Sequence, residues 1–306
     1  MCGIFGIIRY GDKPVPILQV NSVKLLMSEL LLAAEMRGKD ASGVALLNGN
    51  EIRVYKAPLN ATRLMLTQGY ADLKDALTCD FHAVIGHARA QTKGTYKNNH
   101  NNHPIIADKI VGVHNGMIAN DDSLFAQYSG KITRAAQVDS EIIFRLLNHF
   151  LSDPEMSLVK ASQSISEMLM GSYACAFLDV NRTKFVTLIR HWNPIDILVV
   201  PAAHLIIFAS SGFLAKRALG KTSFTMFSIE EKEMPNNMGA RISIETGEIE
   251  LFYLKECKSF MSHSVGTALL SAPKNIDQCV EGTAISDSVF SDNSVCRFIR
   301  RIMRRE

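Results

Sequence analysis

Cys2-Gly3-Ile4-Phe5-Gly6-Ile7-Ile8 is a short apolar run that reads as a buried strand, and the elements after it decide the fold class. Ile17 to Met36 has the pattern of a long helix, with Gly38 as its stop. Val44–Leu47 and Ile52–Tyr55 flank Asn48-Gly49-Asn50, a hairpin signal. Ala83–Gly86 and Ile110–Val113 are further strands, each running straight into polar residues. Asp139–Phe150 and Ser157–Met170 read as helices. From Tyr173 to Leu254 the pattern is mostly strand-like, in the runs 174–180, 184–189, 195–200, 205–209, 242–244 and 249–254, interrupted by a helix at Gly212–Leu219. Strands, then helices, then strands joined by hairpin-length turns predict an α+β fold with antiparallel sheets, not an alternating βαβ series.

With 306 residues, 47% hydrophobic and 21% charged, the chain can bury a sizeable core. Collagen-like, coiled-coil and wholly disordered classes are excluded. The longest apolar helix pattern is broken by Gln19, Asn21, Ser22, Lys24, Ser28, Glu29 and Glu35, so it does not make the run of about 20 apolar residues that spans a bilayer. No basic n-region followed by an apolar h-region opens the sequence. The six cysteines (Cys2, Cys79, Cys175, Cys257, Cys279, Cys296) have no paired spacing. A reduced, cytoplasmic setting is the expectation.

The net charge of +3 is uneven: residues 297–306 carry five Arg and one Glu, which leaves 1–296 at −1. Ser271 to Ser294 is rich in Ser, Asp and Asn, so 256–294 is expected to be a linker or mobile segment. Residues 295–306 are expected to form a basic amphipathic helix, with Phe298, Ile299, Ile302 and Met303 on one face. Its arginines suit an acidic partner, nucleic acid or a membrane surface, and its apolar face suits a partner groove.

Cys2 is the residue with the sharpest chemistry. Loss of the initiator methionine would put a thiol and a free α-amine on one residue, and that amine, with a pKa of about 7.7 to 8.0, can act as the base for its own side chain. Read alone, Cys2 is better explained as a small buried residue; the other segments shift that reading. Four other segments end or begin elements in the manner of functional loops: Arg37–Gly43, Gly86–Gly94, His114-Asn115-Gly116 and Asp139-Ser140-Glu141. Asn115-Gly116 alone is a turn signal and Asp139 alone an N-cap signal. His87, His100, His103 and His114 crowd into 28 residues, but no cysteine or carboxylate joins them at zinc-ligand spacing, so no metal and no cofactor is expected. Trp192, the single tryptophan, reads as a packed loop aromatic.

Taken together, Cys2-Gly-Ile-Phe-Gly6, Arg37-Gly-Lys-Asp-Ala-Ser-Gly43, Gly86-His-Ala-Arg-Ala-Gln-Thr-Lys-Gly94, Asn102-His-Pro104, Val113-His-Asn-Gly116, Val138-Asp-Ser-Glu141 and Gly171-Ser-Tyr-Ala174 resemble the class II glutamine amidotransferases. The resemblance runs over about residues 2 to 250 and is nearest to the glutaminase domain of glutamine–fructose-6-phosphate aminotransferase. It implies a four-layer αββα sandwich of the N-terminal-nucleophile hydrolase type, occupying residues 2–255. It implies hydrolysis of L-glutamine through a Cys2 thioester, with Asn115 and Gly116 as the oxyanion hole. Arg89 would bind the substrate carboxylate and Asp139 its ammonium, with Thr92, Arg37 and His103 in the same substrate-binding set. The sequence departs from the family pattern at Ala90, where an aromatic is usual, and at Lys93, where histidine is common; both bear on the loop over bound glutamine. With about 55 residues beyond the resemblance and domains typically about 100 to 150 residues, the expectation is a stand-alone glutaminase. It would supply ammonia to a separate acceptor (synthase) subunit, in an amino-sugar or nucleotide-related amination. A catalytically weak glutamine-sensing or interaction module on the same scaffold is the alternative, and an amidohydrolase for another amide is disfavoured by Arg89 and Asp139.

Overall fold

The computed structural model describes residues 2–12 and 14–255. The segment 256–294 and the helix expected at 295–306 lie outside the described residues.

β1 (Gly3–Arg9) is central to a seven-stranded antiparallel sheet. β10 (Leu205–Ala209) lies on one side and β4 (Phe81–Arg89) on the other, with Phe5 opposite Ala209 and Gly3 opposite Ala88. β2 (Ala41–Asn48) and β3 (Glu51–Ala57) extend the sheet beyond β4, while β9 (Asp196–Val200) and β11 (Glu230–Lys232) extend it beyond β10. The second sheet has six strands in the order β13 (Ile249–Tyr253), β12 (Met238–Ser243), β8 (Phe185–His191), β7 (Gly171–Asp179), β6 (Ile110–Ile118) and β5 (Ile105–Ala107).

The unbroken apolar character of β1 reflects burial on both faces. Phe5 and Ile7 pack outward beneath α1 (Ile17–Glu35), while Ile4 and Ile8 pack inward, in the layer between the sheets. The outer face of the first sheet is covered by α1, α2 (Ala61–Leu64), α3 (Gln68–Ala76) and α7 (Gly212–Leu219), through Leu26, Leu30, Leu64, Leu73 and Leu219. α4 (Asp121–Gln127), α5 (Glu141–Leu151) and α6 (Leu158–Ser166) cover the second, through Leu124, Phe144, Leu147 and Ile165. Three apolar layers thus separate four layers of secondary structure, the αββα sandwich that the family resemblance implies. Among the described residues no helix is long and apolar enough to cross a membrane.

Some boundaries differ from the sequence reading. The helix expected from Asp139 begins at Glu141, because the Asp139 carboxylate accepts from the Ile118 N–H at 2.7 Å instead of capping its own helix. The helix expected to reach Met170 stops at Ser166, and Met170 pairs with Asn120 and Ala119 on its way into β7.

Candidate active site

Pairing of β1 with β4 sets the first residues of the chain beside the end of β4. The Cys2 thiol lies 3.3 Å from the Ala90 N–H, which donates to it, and 3.4 Å from the Ala90 carbonyl. Both contacts are to main chain, so the family departure at Ala90 leaves them intact. Arg37 Nε donates to the Cys2 carbonyl at 2.9 Å, holding the backbone of the cysteine from behind. The turn after α1 presses against the same place: a Cβ on Gly38 would stand 2.4 Å from the Arg89 carbonyl carbon and 2.5 Å from the Ala90 nitrogen, so glycine is required by contact. Asp40 completes the clasp, its N–H donating to the Arg89 carbonyl at 2.9 Å and its carboxylate accepting from the Gln91 N–H at 2.7 Å. Burial pushes the Cys2 thiol up, against the opposing pull of the Ala90 N–H and the Arg89 charge. The resting sulfur is therefore a thiol, and its use as a nucleophile calls for a local base.

Arg89 is buried at the end of β4, where its charge acts on both Cys2 and Asp139. Nη1 donates to Asn102 Oδ1 at 2.8 Å, and Nη2 to the Lys93 and Gly94 carbonyls at 2.8 and 2.7 Å. Three of the five guanidinium N–H groups thus fix the ion in place. Asp139 is buried too, and its charge acts on Arg89.

β6 carries the third component. His87 on β4 shares its Nε2 with the His114 carbonyl at 2.9 Å, tying the two sheets together where Arg89 and Asn115 emerge. Asn115 is buried, and its Nδ2 has no hydrogen-bond partner. A buried amide N–H without a partner costs about 1 to 3 kcal/mol, and a preorganised donor of this kind can stabilise developing negative charge. Gly116 has φ +151°, and a Cβ there would be 2.0 Å from the Ser172 carbonyl oxygen, so this backbone is open to glycine alone.

His103, expected in the substrate-binding set, stacks on His87 with centroids 4.1 Å apart and has neither ring nitrogen paired. His114 Nδ1 meets Ser140 Oγ at 2.7 Å, linking β6 to the start of α5. His100 is exposed, and among the described residues no group of three His, Cys, Asp or Glu side chains is placed to hold a metal ion. Burial holds all three inner imidazoles neutral: His87 falls to about 3, His103 lies well below its ordinary value, and His114 is lowered. In the unfolded chain they titrate near 6.5, so below that pH the unfolded state binds the protons. Stability is therefore lost as pH falls from about 6.5 toward 3. Each histidine contributes a slope of up to about 1.4 kcal/mol per pH unit, or about 4 kcal/mol per unit for the three together. Denaturant titrations at pH 7, 6 and 5 are expected to show that steepening fall; a flat profile would mean that these rings are charged in the native protein.

Thr92 is exposed on the loop after β4. Its neighbour Lys93 is drawn the other way, into ion pairs with Asp121 at 2.7 Å and Asp122 at 2.8 Å, and Arg134 binds the same two carboxylates. Lys93 thereby ties the loop to α4. Trp192, expected to be packed, is 70% exposed; its left-handed backbone at φ +66° is the local distortion that accompanies this outward placement. Two further residues of the site, Lys56 and Asn193, are not marked by any motif. Lys56 donates to the Asn102 and Pro104 carbonyls at 2.6 and 2.9 Å, and burial lowers it to about 8. Asn193 reaches the Asn115 carbonyl at 2.9 Å. Neither carries a local sequence signal, since both contacts join residues far apart in the chain.

Residues 87–213 match the family model of the glutamine amidotransferase domain. That range includes Arg89, Thr92, His103, Asn115, Gly116 and Asp139, and leaves Cys2 and Arg37 outside. Among curated proteins, the chain is 30% identical over 197 residues to glutamine–fructose-6-phosphate aminotransferase (isomerizing) of Staphylococcus epidermidis, and 29% identical over 197 residues to that of Staphylococcus aureus. Each match covers 64% of this chain and 30% of the relative, so the chain spans about a third of the length of these relatives. Among solved structures, the fold resembles glutamine phosphoribosylpyrophosphate amidotransferase of B. subtilis, with a TM-score of 0.61, 16% identity, and 83% of this chain and 49% of that chain covered. A second structure, described as the allosteric regulatory enzyme of purine biosynthesis, matches with a TM-score of 0.60 and 17% identity over 83% of this chain and 50% of that one. The sandwich, the family match over residues 87–213 and the likeness to the aminotransferases all point the same way: residues 87–213 match a glutamine amidotransferase domain, in a fold shared with the amidotransferase structures.

Proposed function

We propose that residues 2–255 hydrolyse the side-chain amide of L-glutamine through a thioester on Cys2, and that the ammonia serves a separate acceptor enzyme. The observation that carries this reading is the coupled set of Cys2, Arg89 and Asp139 beside a buried, unpartnered Asn115 amide. Glutamine's carboxylate meets the positive charge of the Arg89 guanidinium, and its ammonium meets Asp139. With Met1 removed, the α-amine of Cys2 takes the thiol proton as sulfur attacks the amide carbon. The oxyanion that forms accepts from Asn115 Nδ2 and the Gly116 N–H. Collapse returns the proton to the leaving nitrogen and releases ammonia; water, deprotonated by the same amine, then attacks the thioester and releases glutamate. Because the thiol starts protonated, rate below neutrality should fall about tenfold per pH unit with the fraction of free amine.

The test is release of ammonia and glutamate in equal amounts from glutamine by protein with a verified Cys2 N-terminus, with no amino sugar formed from fructose 6-phosphate. Binding of glutamine without turnover would favour the sensing reading. Arg89→Lys keeps the charge and loses the planar fork, so KM for glutamine is expected to rise on the order of tenfold or more, with a smaller change in kcat. An unchanged KM would take Arg89 out of the head-group site.

A further inference from the structure

The peptide between Asn115 and Gly116 has two ends: its N–H is the Gly116 oxyanion donor of the proposed mechanism, and its carbonyl belongs to Asn115. That carbonyl accepts from Asn193 Nδ2 at 2.9 Å. The same amide lies 3.3 Å from Ser172 Oγ and 2.8 Å from where a Cβ on Gly116 would stand. Asn193 is thus packed directly against the rear of the peptide whose front would face the reacting amide.

The chain takes an unusual course to deliver it there. Asn193 N–H donates to the His191 carbonyl at 2.9 Å, closing a three-residue turn around Trp192. Trp192 stands at φ +66°, an outlier for a bulky residue. Its ring is 70% exposed, so side-chain burial does not compensate the strain. What holds the turn is polar: Asn236 Oδ1 accepts from the Trp192 N–H at 2.6 Å, the His191 ring meets Asn237 Oδ1, and Trp192 bridges Tyr173, the residue opposite Gly116. Strained backbone persists where the surroundings over-determine it, and such places cluster at functional sites.

We infer that Asn193 is a positioning residue for the oxyanion hole: its amide fixes the plane of the Asn115–Gly116 peptide and polarises it. A hydrogen bond accepted at a peptide carbonyl makes the N–H of the same peptide a stronger donor. The effect belongs to the transition state, where the oxyanion carries its charge, and not to the binding of glutamine's head group at Arg89 and Asp139. This inference rests on the glutaminase reading above.

Its test compares wild-type protein with Asn193→Ala and Asn193→Asp, the latter isosteric but without a donor when ionised. Both are expected to lower kcat for glutamine about tenfold, equal to about 1.4 kcal/mol of barrier, with KM within about twofold of wild type and the melting temperature little changed. If Asn193→Ala does not fold, Asn193→Ser, whose arm is too short to reach the carbonyl, is expected to show the same split. Equal kcat in variants and wild type, or a rise in KM at constant kcat, overturns the inference while leaving the glutaminase reading standing. A wild-type protein that does not turn over glutamine overturns the reading of the site, and this inference with it.

Discussion

Cys2→Ala is expected to reduce glutamine hydrolysis to the background rate while leaving glutamine bound. The two halves of that result come from different parts of the site. Binding is assigned to the buried charges of Arg89 and Asp139, and neither depends on sulfur. Bond making is assigned to the Cys2 sulfur alone, which the Ala90 N–H and carbonyl hold at 3.3 and 3.4 Å. An N-terminal extension should act like the substitution, since it turns the α-amine into an amide and removes the base that a burial-raised thiol requires. Calorimetry with glutamine and an ammonia assay on the same samples check both halves. Turnover at wild-type rate by Cys2→Ala, or by protein that retains an extension, contradicts the assignment.

Asn115→Ala is expected to lower kcat on the order of 10² to 10³-fold, the usual cost of removing one oxyanion donor. Its Nδ2 is buried with no partner in the resting protein, so the lost interaction is one that forms only with substrate. The substitution also removes a buried unsatisfied donor, which would otherwise cost about 1 to 3 kcal/mol. The variant should therefore fold at least as well as its cavity allows, and its melting temperature should not track its activity. A change confined to KM would move Asn115 out of the oxyanion hole and into substrate binding.

Much of the sandwich was legible in the sequence because its strands are buried on both faces. Cys2–Ile8 and Leu205–Ala209 read as apolar runs, Asn48-Gly49-Asn50 marked the hairpin between β2 and β3, and the α7 limits at Gly212 and Leu219 were readable directly. β11 was not readable: Glu230-Glu231-Lys232 is an edge strand without an apolar face, paired only to β9. α2 and α3 were not legible either, because their signals, Asn60 and Thr67 capping four- and nine-residue helices, are short. In the site, the motifs marked Arg89, Asn115 and Asp139, which lie on β4 of the first sheet, β6 of the second and the turn before α5. They could not place His103, whose stack on His87 is a tertiary contact, or Asn193, whose bond to Asn115 spans 78 residues and depends on one left-handed tryptophan. Asp139 shows the limit most clearly. Its position before a helix signals an N-cap, whereas its carboxylate is turned to the Ile118 N–H and the charge of Arg89.

That Cys2 is the nucleophile and acts from a free N-terminus is tested most directly by quenching the protein in acid during turnover of glutamine and mapping the adduct by peptide mass spectrometry. The expected product is a γ-glutamyl thioester on an N-terminal peptide that begins at Cys2. An adduct on another residue, an adduct on a peptide that still carries Met1, or steady turnover with no adduct on Cys2 would contradict it.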